Sequence, residues 1–188
     1  MKHDWKPGSM IYPLPVVMIS YGKDPEEHNI FTVSWIGTLS SDPPYCYISV
    51  KPRRNAHRII KKDMEFVINL VSKDLSQSAD YSGVVSGREH RKFEELNLTP
   101  ELGRVVKVPL IKESPINIEC KVKTIVSLGS HDVFIAEVVN IKVCDSLIDE
   151  KTGKIDLHRA NLITFSYGKY FELGEIIGEY GWSKTIEN

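Results

Sequence analysis

The densest run of reactive side chains is Lys51-Pro52-Arg53-Arg54-Asn55-Ala56-His57-Arg58-Ile59-Ile60-Lys61-Lys62, which holds six Lys or Arg and no acid. It follows a strand pattern and crosses a helix start. Free backbone N–H groups at a helix N-terminus, with Arg beside them, make a phosphate-binding site. The run also suits a solvated basic face, with Lys61 and Lys62 serving as cations at a helix C-terminus. A second candidate anion site is Ser86-Gly87-Arg88-Glu89-His90-Arg91-Lys92-Phe93, where a Gly loop enters a helix whose first turns carry Arg91 and Lys92. The plain alternative is an amphipathic helix docked by Phe93 and Leu96. Two anion sites in one chain suggest a single ligand whose phosphate is held from two sides. Neither matches a P-loop or the dinucleotide Gly fingerprint.

A third stretch, Asn29 through Pro44, alternates small hydroxyl residues with bulky apolar ones and ends at Pro43-Pro44. At one residue per pleat, Thr32 and Ser34 share one face and Val33 and Trp35 the other. A flat polar heterocycle could lie against the hydroxyl face; an ordinary half-buried strand has the same alternation. His131 sits in the turn Gly129-Ser130-His131-Asp132, either as a polar loop residue or at the mouth of a pocket. Cys46 lies one strand from Thr32 and Ser34 and reads as a core thiol. No Ser-His-Asp set, His-Glu-x-x-His helix or spaced carboxylate pair is present. The difficult chemistry of any enzyme here would belong to a cofactor, with no catalytic side chain assigned beyond His131 as a candidate.

The elements that must position these residues are mainly strands. They are expected at Pro13–Ser20, Ile30–Trp35, Tyr45–Val50, Glu65–Val71, Ile116–Lys123 and Val133–Val143, by alternation and turn clusters. Asn55 can cap a short helix to about Lys62. Further helices are expected from Ser72 or Asp74 toward Tyr81 and around His90–Leu96. In Ile116–Lys123 the unbroken alternation predicts one buried and one wet face. Phe165–Gly174 does not read as a regular helix. Some seven strands and few helices argue for a closed antiparallel barrel.

The chain has 188 residues, with 24 Lys plus Arg against 25 Asp plus Glu, so one balanced domain is expected. Nothing global points to nucleic acid or an anionic membrane. No apolar run approaches the roughly 20 residues that span a bilayer. Met1 to Gly8 lacks a secretion signal's apolar region. The three cysteines, Cys46, Cys120 and Cys144, show no metal spacing. A cytoplasmic location with free thiols is the expectation.

Pro13–Val17, Asn29–Trp35, Ser40–Pro44, Ser49–His57, Phe66–Asn69, Ser86-Gly87 with Lys92-Phe93, and Gly129–Val138 occur in an order and spacing that resembles the flavin reductase-like family. These are FMN-binding split barrels that include flavoredoxins and archaeal ferric reductases. The resemblance runs from about Pro13 to Gly178. It implies a mainly β chain, a six-stranded antiparallel Greek-key split barrel with a few short flanking helices. It implies one domain over 1–188 and a homodimer, with the terminal arms at the dimer contact and FMN near the subunit interface. The ring edge would meet Thr32, Val33, Ser34 and Trp35, with Asn29 in the same set. The phosphate would lie among Ser49, Val50, Lys51, Arg54, Asn55 and His57, closed by Ser86 and Lys92. His131 and Tyr170 would lie near the flavin or the dimer contact. The implied activity is an FMN-dependent oxidoreductase passing electrons from NADH or NADPH to free flavin, ferric iron or another acceptor. The competing readings are an FMN electron-transfer module without nicotinamide turnover and a split barrel that has lost its cofactor.

Overall fold

The computed structural model describes residues 1–185; the last three residues of the expected 1–188 domain lie outside the described ones. In chain order the strands are β1 (Leu14–Pro15), β2 (Val17–Tyr21), β3 (Asn29–Val33), β4 (Ile36–Ser41) and β5 (Pro44–Val50). Helix α1 (Asn55–Asp63), β6 (Glu65–Leu70), α2 (Ser76–Val84), α3 (Lys92–Glu95), β7 (Pro100–Glu101) and β8 (Leu110–Ile111) follow. The chain continues with β9 (Ile116–Ser127), β10 (Asp132–Val143), β11 (Ile163–Ser166) and β12 (Lys169–Glu172). Seven strands form an antiparallel sheet in the order β3-β2-β6-β9-β10-β5-β4. The mainly β split-barrel expectation stands, with seven strands in the main sheet where six were expected.

The extra strand is β4. Gly37, Thr38, Ser40 and Ser41 give it little apolar alternation, and it forms only because the hairpin to β5 supplies its ladder. The terminal strands of the ladder, β3 and β4, are joined through Ser34-Trp35 and not by a strand ladder. The Trp35 carbonyl accepts from the Ser49 N–H at 2.9 Å across that seam. The barrel is therefore split there and not closed by hydrogen bonds all round. The expected strand Ile30–Trp35 stops at Val33.

The expected strand Pro13–Ser20 divides between two sheets. β1 pairs with β11, and β2 pairs with β3 and β6. All five residues of β2 are buried because both faces are covered. Val17, Ile19 and Tyr21 join the barrel core with Phe31, Ile48, Phe66 and Phe134. Met18 joins a second cluster with Ile30, Ala79, Phe93 and Ile163, under α2 and α3. Phe165–Gly174 holds the turn and second strand of the β11–β12 hairpin, turned by Tyr167 and Gly168 at φ 46° and 83°. Positive φ at both central residues gives the twist a tight hairpin needs. The expected helix at His90–Leu96 is the single turn α3, and the expected cap Asn55 is the first helical residue, with Arg54 at the N-cap.

The wet face expected for β9 is buried at Asn117 and Glu119. The segment 103–111 covers it. Glu119 accepts backbone N–H bonds from Arg104 (3.0 Å), Val105 (2.7 Å) and Val106 (2.8 Å), and an amide bond from Asn140 (2.7 Å). Burial pushes its carboxyl up, but these donors outweigh burial and hold it below the ordinary carboxylate value. Among the described residues no helix is long and apolar enough to cross a membrane.

A carboxyl whose folded pKa is depressed stabilises the fold above its unfolded pKa, and that contribution is lost as pH falls through the folded value. Glu119→Gln is expected to lower unfolding free energy by about 2 kcal/mol at pH 7. Urea melts should show the gap to the parent closing as pH falls below the ordinary glutamate range.

Candidate functional site

The two basic segments converge on one cavity of about 240 Å³. Arg53, Arg54 and Asn55 enter from the β5–α1 connection; Ser86, Gly87 and Lys92 enter from the loop before α3; Tyr21 and Phe31 line the barrel side. The first turn of α1 contains no acid, and no side chain caps it. The His57 N–H donates to the Arg54 carbonyl at 3.1 Å; the N–H groups ahead of it and the partial positive charge remain available to an anion.

Lys92 is the central cation. It is 1% exposed, and its Nζ donates to the Ser82 carbonyl at 2.7 Å. Burial lowers its pKa, the nearby Arg54 charge lowers it further, and Glu95 opposes both; the result is about 8. Arg54 is held by a bond from Nη2 to the Gly83 carbonyl at 2.9 Å. The Ser82 hydroxyl is buried with no hydrogen-bond partner among the described residues. A Cβ on Gly87 would lie 2.4 Å from the Tyr21 hydroxyl, so the loop approaches the barrel more closely than a side chain there permits. Tyr21 is pushed up to about 12 by burial, against the hydrogen bond from Asn55, and stays a neutral phenol. Cations, an uncapped helix start and a crowded glycine fit a phosphate group.

Two expected ligands serve as braces. Asn29 donates to the carbonyls of Gly87 (3.2 Å) and His90 (2.8 Å) and accepts from the Ile30 and Lys92 N–H groups. Asn55 donates to the Gly87 carbonyl at 3.1 Å. His57 points elsewhere: its Nε2 pairs with Asp132 at 2.8 Å, and its ring meets Phe134 edge-on. The His57 bond, then one from Ser127, holds the Asp132 carboxyl below its ordinary value.

A second cavity of about 320 Å³ is lined by Ser34, Trp35, Tyr47, Ser49 and Val133, with residues 8–12 across it. Ser49 to Asn55 is thus one continuous run between the two cavities. The Trp35 ring lies against His131, with centroids 4.6 Å apart and planes at 38°. Partial burial and then the Lys51 charge lower the His131 pKa.

Other expected contacts separate from both cavities. The Thr32 hydroxyl donates to the Ala79 carbonyl of α2, and Val33 on β3 and Val50 on β5 belong to the barrel core. Lys51 is exposed, and Tyr170 donates to Asp80 at 2.9 Å while its ring packs on Phe165. Arg53, Gly87, Tyr21, Phe31, Tyr47 and the 8–12 arm are additions to the expected lining. Gly87 and Arg53 were visible inside the two basic segments; the others carry no local signal. No group of three or more metal-ligating side chains is present among the described residues.

This architecture belongs with a known class. Residues 9–172 match the flavin reductase like domain, and the chain belongs to that family. An uncharacterized protein of Archaeoglobus fulgidus is 33% identical over 161 residues, 86% of this chain and 88% of the relative. The structure of a flavoredoxin from Desulfovibrio vulgaris (Miyazaki F) superposes with a TM-score of 0.90 at 27% identity, covering 98% of this chain and all of that one. An FMN-binding protein from Thermus thermophilus shares the fold, with a TM-score of 0.79 at 24% identity over 95% of this chain and 97% of that one.

Lys92 has a folded pKa below its unfolded one. Its buried charge therefore opposes folding fully below about pH 8, and that cost fades as pH rises toward the unfolded value. Anion-free protein should gain stability between about pH 8 and 10 relative to Lys92→Met, measured by urea unfolding; parallel pH profiles would contradict the buried cation.

Proposed function

We propose that the chain is an FMN-binding oxidoreductase that takes electrons from NADH or NADPH and delivers them to free flavin, ferric iron or another acceptor. The observation that carries this reading is the convergence of Arg54, Lys92 and the uncapped start of α1 on one cavity of about 240 Å³. FMN, when bound, supplies the hydride and electron transfer. This chain's residues do the rest. Lys92 and Arg54 offer charged donors to a phosphate, and the N–H groups of α1 add fixed dipoles. Ser34, Ser49 and Trp35 supply hydroxyls and an aromatic wall in the second cavity, the chemistry a polar heterocycle requires.

A second reading has its own support. The flavoredoxin likeness covers the whole of that protein. In this reading the chain carries electrons between protein partners and does not turn over nicotinamide. We also propose a homodimer. Trp5, Met10 and Ile11 in the N-terminal arm and Ile176, Ile177 and Tyr180 near the other end are all exposed, a quantity of apolar surface that a second copy would cover. The free cysteines suit the reducing cytoplasm as its setting.

Anaerobic mixing of the FMN-loaded protein with NADH and NADPH separates the two readings. Rapid bleaching of the flavin band by either nucleotide is expected for the reductase. Bleaching only by a reduced protein donor supports the carrier, and failure to take up FMN at all removes both. Arg54→Ala and Lys92→Ala should each weaken FMN binding by about 1.5–3 kcal/mol, the value of a hydrogen bond to a charged group. Fluorescence titration checks this, and unchanged affinity in both variants would remove the phosphate assignment.

A further inference from the structure

Cys46 and Cys120 are free, buried and adjacent, with sulfur atoms 3.7 Å apart. Both belong to the barrel core. The topology keeps them from forming a disulfide. Cys46 on β5 lies opposite Ala136, and Cys120 on β9 lies opposite Val138, so strand β10 runs between them. Two strand spacings of about 4.8 Å and a two-residue offset along β10 separate their positions in the sheet, whereas a disulfide accepts Cα atoms only about 4.4–6.8 Å apart. The sulfurs meet only because both side chains point inward from a curved sheet.

The spacing suits a single bridging atom. Two sulfurs bound to one centre at about 2.3 Å stand roughly 3.3–3.8 Å apart as the angle between them opens from a right angle to the tetrahedral value. A four-ligand metal is not served, because no third ligating side chain joins the pair among the described residues. A buried centre carrying net charge would also be costly in this apolar core. The ligand best matched is a soft centre that takes two sulfurs and ends neutral, as trivalent arsenic bearing one organic group does. An apolar cavity of about 370 Å³, lined by Val17, Ile36, Ile68, Ile118, Val138 and Cys46, brings such a ligand to Cys46, with the Cys120 sulfur directly behind it.

We propose that Cys46 and Cys120 form a dithiol clamp for a trivalent arsenical or a chemically similar thiophile. The contact between the sulfurs supports this. The Cys120 contact lowers the Cys46 thiol, while that contact and then burial raise Cys120. With phenylarsine oxide as the probe, two As–S bonds form, the arsenic-bound oxygen leaves as water with both thiol protons, and arsenic stays trivalent. Cys46 precedes Tyr47, which lines the Ser34–Ser49 cavity on the other side of β5, so an occupied clamp abuts the proposed flavin site.

The test uses folded full-length Cys144→Ser protein, which lacks the exposed thiol. Intact mass after treatment should show one phenylarsenic bridge per chain, surviving a monothiol wash and released by a dithiol. Peptide mapping should place it between the Cys46 and Cys120 segments. Adding Cys46→Ser or Cys120→Ser should abolish retention. Diamide should leave both thiols free. The proposal is overturned if the folded parent takes up no arsenic, or takes it up only at its unfolding rate. Retention by either single-thiol variant, or formation of a Cys46–Cys120 disulfide by diamide, overturns it equally. Should the serine variants fail to fold, the parent's mass, rate and mapping decide.

Discussion

One carbonyl organises the site. The Gly87 oxygen accepts from Asn29 on β3 and from Asn55 at the start of α1. Each amide alone would tie the 86–92 loop to one element; together they fix it against both the barrel and the helix. Asn29 also receives the Lys92 N–H and donates to the His90 carbonyl, so the chain entering α3 has little freedom. Gly87 permits this because its missing Cβ leaves room for the Tyr21 hydroxyl. The cavity is what remains between braced parts.

That bracing explains how a lysine can be buried beside an arginine. The ammonium of Lys92 and the guanidinium of Arg54 repel each other, and burial penalises Lys92 further. Single carbonyls, Ser82 for Lys92 and Gly83 for Arg54, offset only part of this. Such an arrangement is electrostatically incomplete without an anion, and an anion would relieve both the repulsion and the desolvation. Folding energy from the two apolar layers around β2 supports the strained charges until a ligand arrives.

Much of this was legible locally. The strands Tyr45–Val50 and Val133–Val143, helix α1 and both basic segments follow from alternation, composition and turn residues. The resemblance of the ordered segments to the flavin reductase-like family led to the split barrel, and four of the expected phosphate ligands, Arg54, Asn55, Ser86 and Lys92, do line one cavity. Local pattern failed where a neighbour changed a residue's surroundings. Glu119 looked wet because its strand alternates cleanly, yet the 103–111 segment arrives over it with three N–H donors. Thr32 looked like a ring contact, yet α2 arrives with the Ala79 carbonyl.

The sequence by itself determined the periodicities, the breaks and the supply of charge: which stretches can be strands, where glycine permits close approach, and which cations stand at helix starts. These depend on residues a few positions apart. Tertiary structure alone decided which partner each side chain meets. It paired His57 with Asp132, set Trp35 against His131, tied Asn29 to the loop at Gly87, and brought Cys46 to Cys120 across an intervening strand. The physical reason is range: hydrogen bonds, desolvation and ring contacts act over a few ångströms of space, and most of these partners are tens of residues apart in the chain.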